Sequence, residues 1–149
     1  MKISTKVECG IIALIDIALN SSEGNVVKVA AISQRHNISA KYLEQILPLL
    51  RQTQLIRSVK GASGGYVLSR PAEEMTLRDI VDSLDNTILT NNSFDEKLDS
   101  SVTSAISQVL WDPVEVYMKQ LSDSVTLKDL TRKYAELKGH SDEELMYYI

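Results

Sequence analysis

The hydrophobic pattern of residues 1–54 predicts three helices separated by polar turns. In each of them the apolar residues recur every three or four positions, which places them on one face. The predicted helices cover about 5–19, 26–35 and 40–54. Ser4 and Ser39 precede the first and the third helix, where a hydroxyl can accept a hydrogen bond from the first helical turn. Pro48 is expected to kink the third helix or to loosen one of its turns.

The apolar pattern then changes from a helical period to a period near two. Residues 55–60 alternate and predict one strand, the glycine-rich segment 61–65 is a turn, and residues 66–69 predict a second strand. This arrangement predicts a β-hairpin with a basic tip. The glycines allow positive φ angles and a close approach of the backbone to another molecule.

Helical spacing returns in the second half of the chain. Residues 76–84 predict a helix capped by Thr76, and the polar segment 85–100 predicts a flexible loop. A longer apolar stripe follows, made of Val102, Ile106, Val109, Leu110, Val114, Tyr117 and Leu121. These side chains are too many for a lone helix to leave in water, so they pack either on a second copy or inside one protomer.

Two features modify this second half. Asp112-Pro113 interrupts the long stripe, and Asp112 is expected to cap a new helix there. A last helix is predicted over about 126–137 and is expected to end at Gly139. The remaining tail, 140–149, is acidic and then aromatic.

The composition is that of a single domain without a disulfide or a cysteine-ligated metal. The chain has 149 residues and one cysteine, which excludes a disulfide scaffold and a cysteine-ligated cluster within one chain. No apolar run is long enough for a membrane span or a secretory signal. A soluble, cytoplasmic protein is therefore expected.

The formal net charge of −4 is unevenly distributed along the chain. Residues 1–70 carry nine cations and four anions, whereas residues 71–149 carry seven cations and sixteen anions. A basic half joined to an acidic half suits a polyanion-binding module with a separate assembly or sensing part. A chance asymmetry on a solvated surface explains the charges about equally well.

The order of the predicted elements is typical of a winged helix-turn-helix. In that architecture the second helix of the motif enters the major groove of DNA, and the hairpin reaches the adjacent backbone or minor groove. No nucleophile–base pair, phosphate loop or metal-ligand spacing is evident in the sequence. An enzyme is therefore not expected, and no catalytic residue or metal site is predicted.

Three segments resemble the Rrf2 family of bacterial winged-helix regulators. They are MKISTK at 1–6, ISAKYLEQI at 38–46 and VKGASGGY at 59–66. The similarity continues through TLRDI at 76–80 to VTLKDL at 125–130 and so covers nearly the whole chain. The family includes regulators of iron–sulfur cluster assembly and of cysteine metabolism.

The resemblance implies a mainly α fold with a small β-hairpin wing and a long dimerisation helix. It implies a DNA-binding domain over 1–84, the flexible loop over 85–100, and a C-terminal part over 101–149. In that last part the long helix carries the dimerisation residues of the stripe, the final helix packs back on the DNA-binding domain, and a tail follows. The partners implied are a second copy of the chain and a palindromic DNA operator.

Position by position, the family pattern assigns DNA contacts to Thr5, Lys6, Ser39, Lys41, Tyr42, Glu44, Gln45, Arg57, Lys60 and Ser63. For Tyr42, a phosphate contact and partial burial against the scaffold are equally expected. Glu44 repels phosphate, so at a DNA surface it is useful only if it accepts from cytosine or rejects wrong bases.

The sequence departs from the iron–sulfur members of the family, which have three cysteines in the loop before the long helix. Residues 86–97 contain neither Cys nor His, so no cluster ligands are present there and no cofactor is predicted. The cluster-free branch that resembles the cysteine-metabolism repressor is favoured. Cys9 is expected to be a small packed residue rather than a redox switch, because no adjacent cation lowers its pKa.

The expected function is a homodimeric DNA-binding repressor of sulfur or cysteine metabolism genes. The alternative is an interaction protein that mainly binds cysteine synthase. The terminal residues Tyr147, Tyr148 and Ile149 resemble the isoleucine-terminated tails that dock into that enzyme. The competing expectation is that they pack on their own dimer or fray.

Overall fold

The structure, a computed structural model, describes residues 3–89 and 100–147, with side chains up to residue 141. Its elements are α1 (Thr5–Asn20), α2 (Val29–His36), α3 (Ala40–Gln52), β1 (Ile56–Val59), β2 (Gly65–Leu68), α4 (Leu77–Leu84), α5 (Ser100–Ile106), α6 (Asp112–Ser124) and α7 (Leu127–Tyr147). A short 3-10 turn, Ala72–Glu74, precedes α4. The predicted fold class, mainly helical with a two-stranded antiparallel hairpin, is confirmed.

The hydrophobic core lies between α1, α3 and α4. Leu14 and Ile17 of α1, Leu43 and Leu47 of α3, and Ile80 of α4 belong to one buried cluster. α3 runs through Pro48, which lies on its exposed side. The hydrogen bond that Pro48 cannot donate is therefore missing from the face that water reaches.

α2 and α3 form a helix-turn-helix with a three-residue turn. Asn37 ends α2 in the left-handed conformation, with φ 54°, which asparagine tolerates better than most residues. Ile38 is buried and ties the turn to the core. Ser39 caps α3, as predicted, by accepting a hydrogen bond of 3.1 Å from the backbone N–H of Tyr42.

The hairpin is tied to the segment that precedes α2. Val27 and Tyr66 exchange both backbone hydrogen bonds, of 2.9 and 2.7 Å, so the helix predicted from residue 26 begins only at Val29. Gly65 permits this pairing, because a Cβ at that position would lie 2.6 Å from the Val27 carbonyl oxygen. The wing is thus held by a third extended segment, which helical periodicity did not indicate.

The helix break expected at Asp112 is wrong, because one helical segment runs from Ser100 to Ser124. Asp112 has helical angles, φ −63° and ψ −44°, and donates its backbone N–H to the carbonyl of Ser107, five residues earlier. This bond belongs to a π turn over Ser107–Trp111. The wider turn relieves the clash that the Pro113 ring would make in a regular α-helix, so the helix continues without a new cap.

Two similar capped helix starts join the halves of the chain. The Thr76 and Asp79 side chains form a capping box at α4, and Thr126 and Asp129 make the same reciprocal bonds at α7. The segments pair with each other through the N–H of Leu77 and the carbonyl of Val125, 2.8 Å apart, and a matching bond from Leu127 to Met75. The start of α7 is therefore attached to the N-terminal half of the chain, and α7 then packs against α1.

α7 is longer than the pattern predicted, and the expectation that Gly139 ends it is wrong. The helix continues through Gly139 to Tyr147. A glycine weakens a helix interior by about 1 kcal/mol relative to alanine but does not force an end. Residues 90–99, most of the predicted loop, lie outside the described residues, whereas Ile88 and Leu89 pack against the core.

Asp16 of α1 is a buried carboxylate held by the end of α2. It accepts hydrogen bonds from Arg35 Nη2 and Nε, at 2.7 and 2.8 Å, and lies 2.8 Å from His36 Nε2. Burial raises the pKa of Asp16, but the hydrogen bonds from Arg35 and His36 outweigh it and hold the pKa below its ordinary value. The carboxylate is therefore charged in the folded protein and fixes α2 on α1.

We expect Asp16→Asn to destabilise the protein by about 2–3 kcal/mol at neutral pH, because hydrogen bonds to a buried charge are lost. The folded pKa lies below the ordinary value of 3.8, so this stabilisation is present above pH 3.8 and is lost as the pH falls through the folded pKa. Urea unfolding at several pH values measures the difference.

The matched control is Asp123→Asn, which removes an exposed carboxylate that also pairs with an arginine, Arg78. It should cost less than about 1 kcal/mol. Equal effects of the two variants at neutral pH would contradict the role assigned to Asp16.

Candidate nucleic-acid interface

α3 turns one face to the core and the opposite face to solvent. Lys41, Glu44 and Gln45 are exposed on the first two turns, whereas Leu43 and Ile46 are buried. The helix therefore offers one cation, one anion and one amide near its N-terminus, where a recognition helix meets base edges.

Tyr42 is half-buried and packs against the hydrophobic core. Partial burial, one of the two alternatives for this residue, is therefore what the structure shows for the ring. A contact between its hydroxyl and DNA stays a prediction.

The wing tip is a tight turn that carries Lys60 and Ser63, both exposed. Gly61 has φ +106°, and its carbonyl accepts a 3.0 Å hydrogen bond from the N–H of Gly64. A Cβ on Gly64 would overlap the Val59 carbonyl oxygen. The path of the tip, and so the position of Lys60, requires a glycine at residue 64, because any Cβ there would meet the backbone.

Lys28 lies beside the wing tip, although it is not among the DNA contacts predicted from the sequence. It stands at the N-cap position of α2, and its Nζ donates a 3.1 Å hydrogen bond to the Ala62 carbonyl. The signal available in the sequence was a cation directly ahead of the first helix of the motif. Lys28 adds a second cation to the same end of the wing.

Arg57 lies on the strand rather than at the tip. It is opposite Val67 in the hairpin and lines a groove of about 390 Å³ together with Arg70. Arg70 donates to Asp79 at 3.1 Å. Arg57 is exposed, and its DNA contact stays a prediction.

Thr5 and Lys6 occupy the exposed first turn of α1. Ser4 caps this turn by accepting a 3.3 Å hydrogen bond from the N–H of Val7, which confirms the predicted cap. The N-terminal end of a helix attracts anions, so phosphate contacts are chemically reasonable at these two residues.

The seven apolar residues of the long stripe point away from their own protomer. All of them are exposed, with Val109 80% and Tyr117 74% accessible. The other side of α6 packs against α4, where Ser122 is buried and the Arg78 Nη2 lies 2.8 Å from Asp123. Among the residues that the structure describes, these side chains are left largely exposed, which is the arrangement expected of an interface.

The donor set does not fit an iron–sulfur cluster. Cys9 is the only cysteine of the chain. Burial, and then the neighbouring Glu8, raise the pKa of its thiol, which opposes the thiolate form that iron requires. Within the described residues no three His, Cys, Asp or Glu side chains are grouped so as to hold a metal ion. Across the same residues, no helix is long and apolar enough to span a membrane.

The proposed docking tail falls largely outside what the structure describes. Tyr148 and Ile149 are outside the described residues, and Tyr147 is described only as the last backbone position of α7. Contact between this tail and cysteine synthase stays a prediction.

Comparison with known proteins agrees with this arrangement. The family model described as "Rrf2: Iron-dependent Transcriptional regulator" matches residues 3–133. The transcriptional regulator CymR of Bacillus subtilis is 33% identical over 149 residues, 100% of this chain and of that protein. The regulator IscR of Cereibacter sphaeroides is 32% identical over 136 residues, covering 89% of this chain and 88% of the relative.

A solved structure gives the same result for the fold. The structure of CymR, described as the global cysteine regulator of B. subtilis, has a TM-score of 0.76 at 31% identity and covers 89% of this chain and 98% of that chain. Residues 3–133, which the family model matches, include the helix-turn-helix, the wing and the long helical segment. The chain belongs to the Rrf2 family of winged-helix transcriptional regulators.

Proposed function

We propose that this regulator is a homodimeric repressor that binds a palindromic operator of sulfur or cysteine metabolism genes without an iron–sulfur cluster. The observation that carries the proposal is the presence in one unit of an exposed face on α3 and a wing tip that bears Lys60, with Lys28 of the α2 N-cap bonded to that tip. A helix for the major groove beside a cationic hairpin for the backbone is the arrangement that reads duplex DNA.

The dimer is supported by the exposed stripe on α5 and α6. A second copy would cover Val109 and Tyr117, and their burial would contribute favourable free energy at about 25 cal/mol per Å² of apolar surface. Two protomers related by a two-fold axis would present two α3 helices to two half-sites, which is why a palindrome is expected.

The assignment to cysteine metabolism is supported by the relatives and by the ligand chemistry. CymR matches the chain from end to end, and its structure is described as that of a global cysteine regulator. IscR is also similar, but Cys9 is the single thiol of the chain and burial raises its pKa, which does not suit a cluster. A regulator of cysteine metabolism that holds no cluster agrees both with the similarity to CymR and with the chemistry of Cys9.

The experiment that tests DNA binding is a salt titration on operators selected from genomic fragments. Lys60→Ala should weaken binding to all sequences alike and reduce the salt slope by about one unit, because one phosphate contact is lost. Lys128→Ala, an exposed cation on α7, is the matched control and should leave the slope unchanged. Failure to select any sequence would refute the proposal.

We expect Glu44→Ala to relax base preference rather than to weaken binding. An exposed carboxylate on α3 repels phosphate, so its removal should leave the total affinity unchanged or higher. The same change removes the group that accepts from one base, which should cost about 1–3 kcal/mol of discrimination at one base pair. Selection of bound sequences measures the preference. Glu73→Ala, which removes an exposed acid before α4, should keep the wild-type motif; an unchanged motif in Glu44→Ala would show that Glu44 does not read DNA.

A further inference from the structure

A cleft of about 490 Å³ lies between α1, the last turn of α2 and α7. This volume is in the range of sites that bind small molecules. Ile15 and Leu19 form an apolar wall, and Leu19 is left 40% exposed there. The residues assigned above to DNA or to the dimer are not among those that line it.

Two cations, Arg35 and Lys138, outnumber the single carboxylate among the groups that line the cleft. Asp16 is the one acidic residue among the described residues that line it, and its carboxylate already accepts hydrogen bonds from Arg35. Arg35 Nη1 takes no part in that pair, and the Arg35 side chain is 43% exposed. Lys138 has no ion pair with any side chain the structure describes.

The chemistry of the ligand follows from these two surfaces. Positive charge from Arg35 and Lys138 disfavours a cation and attracts an oxyanion. An inorganic anion would leave the wall of Ile15 and Leu19 uncovered, whereas a hydrocarbon chain would remove that wall from water. A carboxylate on a short apolar chain satisfies both surfaces.

We propose that this cleft binds a small organic carboxylate, with its oxygens on Arg35 and Lys138 and its hydrocarbon part on Ile15 and Leu19. Arg35 precedes Asn37 by two residues at the end of α2, and so lies next to the turn of the helix-turn-helix. Lys138 belongs to α7, so a bound ligand joins α7 to the DNA-reading unit. This consequence for DNA rests on the proposed function; the binding itself does not.

The test uses the full-length, isotopically labelled protein, without DNA, in two-dimensional NMR titrations. The probes are hexanoate, acetate and the uncharged hexanamide, at millimolar concentration. Hexanoate should shift backbone signals of residues 15–20, 34–37 and 134–139, with an affinity about tenfold above that of acetate because of its longer apolar chain. Hexanamide should bind weakly or not at all.

Two variants and one control decide the location. Lys138→Gln should lower hexanoate affinity about tenfold, since a charge-assisted hydrogen bond is lost. Ala135→Leu should abolish the shifts by filling the cleft. Lys128→Gln, at the other end of α7, should change nothing.

Absence of shifts with hexanoate, equal shifts with hexanamide, or shifts that persist in both cleft variants would overturn the proposal. Because the titration contains no DNA, such a failure leaves the proposed transcriptional function untouched. Failure of operator binding would likewise leave the cleft result standing.

Discussion

Val109→Asp combined with Tyr117→Asp is expected to produce a folded monomer that binds a palindromic operator at least about a hundredfold more weakly than the native protein. Both side chains are largely exposed in one protomer, 80% and 74%, so the change costs the isolated chain little. In a dimer the same positions would bury two carboxylates in each subunit, and unpaired buried charge is strongly unfavourable. Light scattering and operator titration measure the two effects.

The matched control is Ser104→Asp combined with Gln108→Asp. These residues are also exposed on the same helical segment and add the same charge, but they lie on the side away from the apolar stripe. The control should remain dimeric and keep its affinity. If the double stripe variant stays dimeric, or if it is monomeric and still binds the palindrome tightly, the interface proposed here is wrong.

Gly64→Val is expected to reduce operator affinity about tenfold or more, with little change in the free energy of unfolding, because the wing cations are displaced. A Cβ at residue 64 would overlap the carbonyl oxygen of Val59, which is backbone and cannot rotate away. The tip must therefore adopt another path, and both Lys60 and the Ala62 carbonyl that holds Lys28 must move. The salt slope should fall by about two units if both contacts are lost.

Ala62→Ser is the matched control, since it changes a neighbouring exposed side chain of the same turn and leaves the backbone carbonyl in place. Its affinity and salt slope should equal those of the native protein. Native affinity in Gly64→Val would mean that the wing does not contribute to DNA binding. Urea unfolding of both variants verifies that the core is intact.

The sequence was sufficient for most of the local architecture. Helices α1 and α3 follow from an apolar stripe preceded by Ser4 or Ser39, and the hairpin follows from alternation around a glycine-rich tip. These signals are local, because hydrogen bonds and side-chain faces in such elements involve residues only a few positions apart. The apolar stripe of residues 102–121 was also visible in the sequence, since its spacing is a property of one helix; the structure leaves its side chains exposed, and the interface stays a prediction.

Where the local signal was ambiguous, the prediction failed. The pair Asp112-Pro113 predicts a helix start, yet the helix continues because the π turn before it makes room for the Pro113 ring. Gly139 reads as a stop, yet α7 passes through it. In both cases the residue permits a helix end without requiring one, and the true ends depend on packing and on caps elsewhere.

The sequence by itself therefore determined the elements, their order, the face of each helix that enters the core, and the family. Only the tertiary structure decided which distant side chains meet: Lys28 with the wing tip, Asp16 with Arg35 and His36, and Lys138 with the cleft beside them. Contacts of this kind join residues 19 or more positions apart, and their geometry depends on how α1, α2 and α7 pack, which no local period encodes.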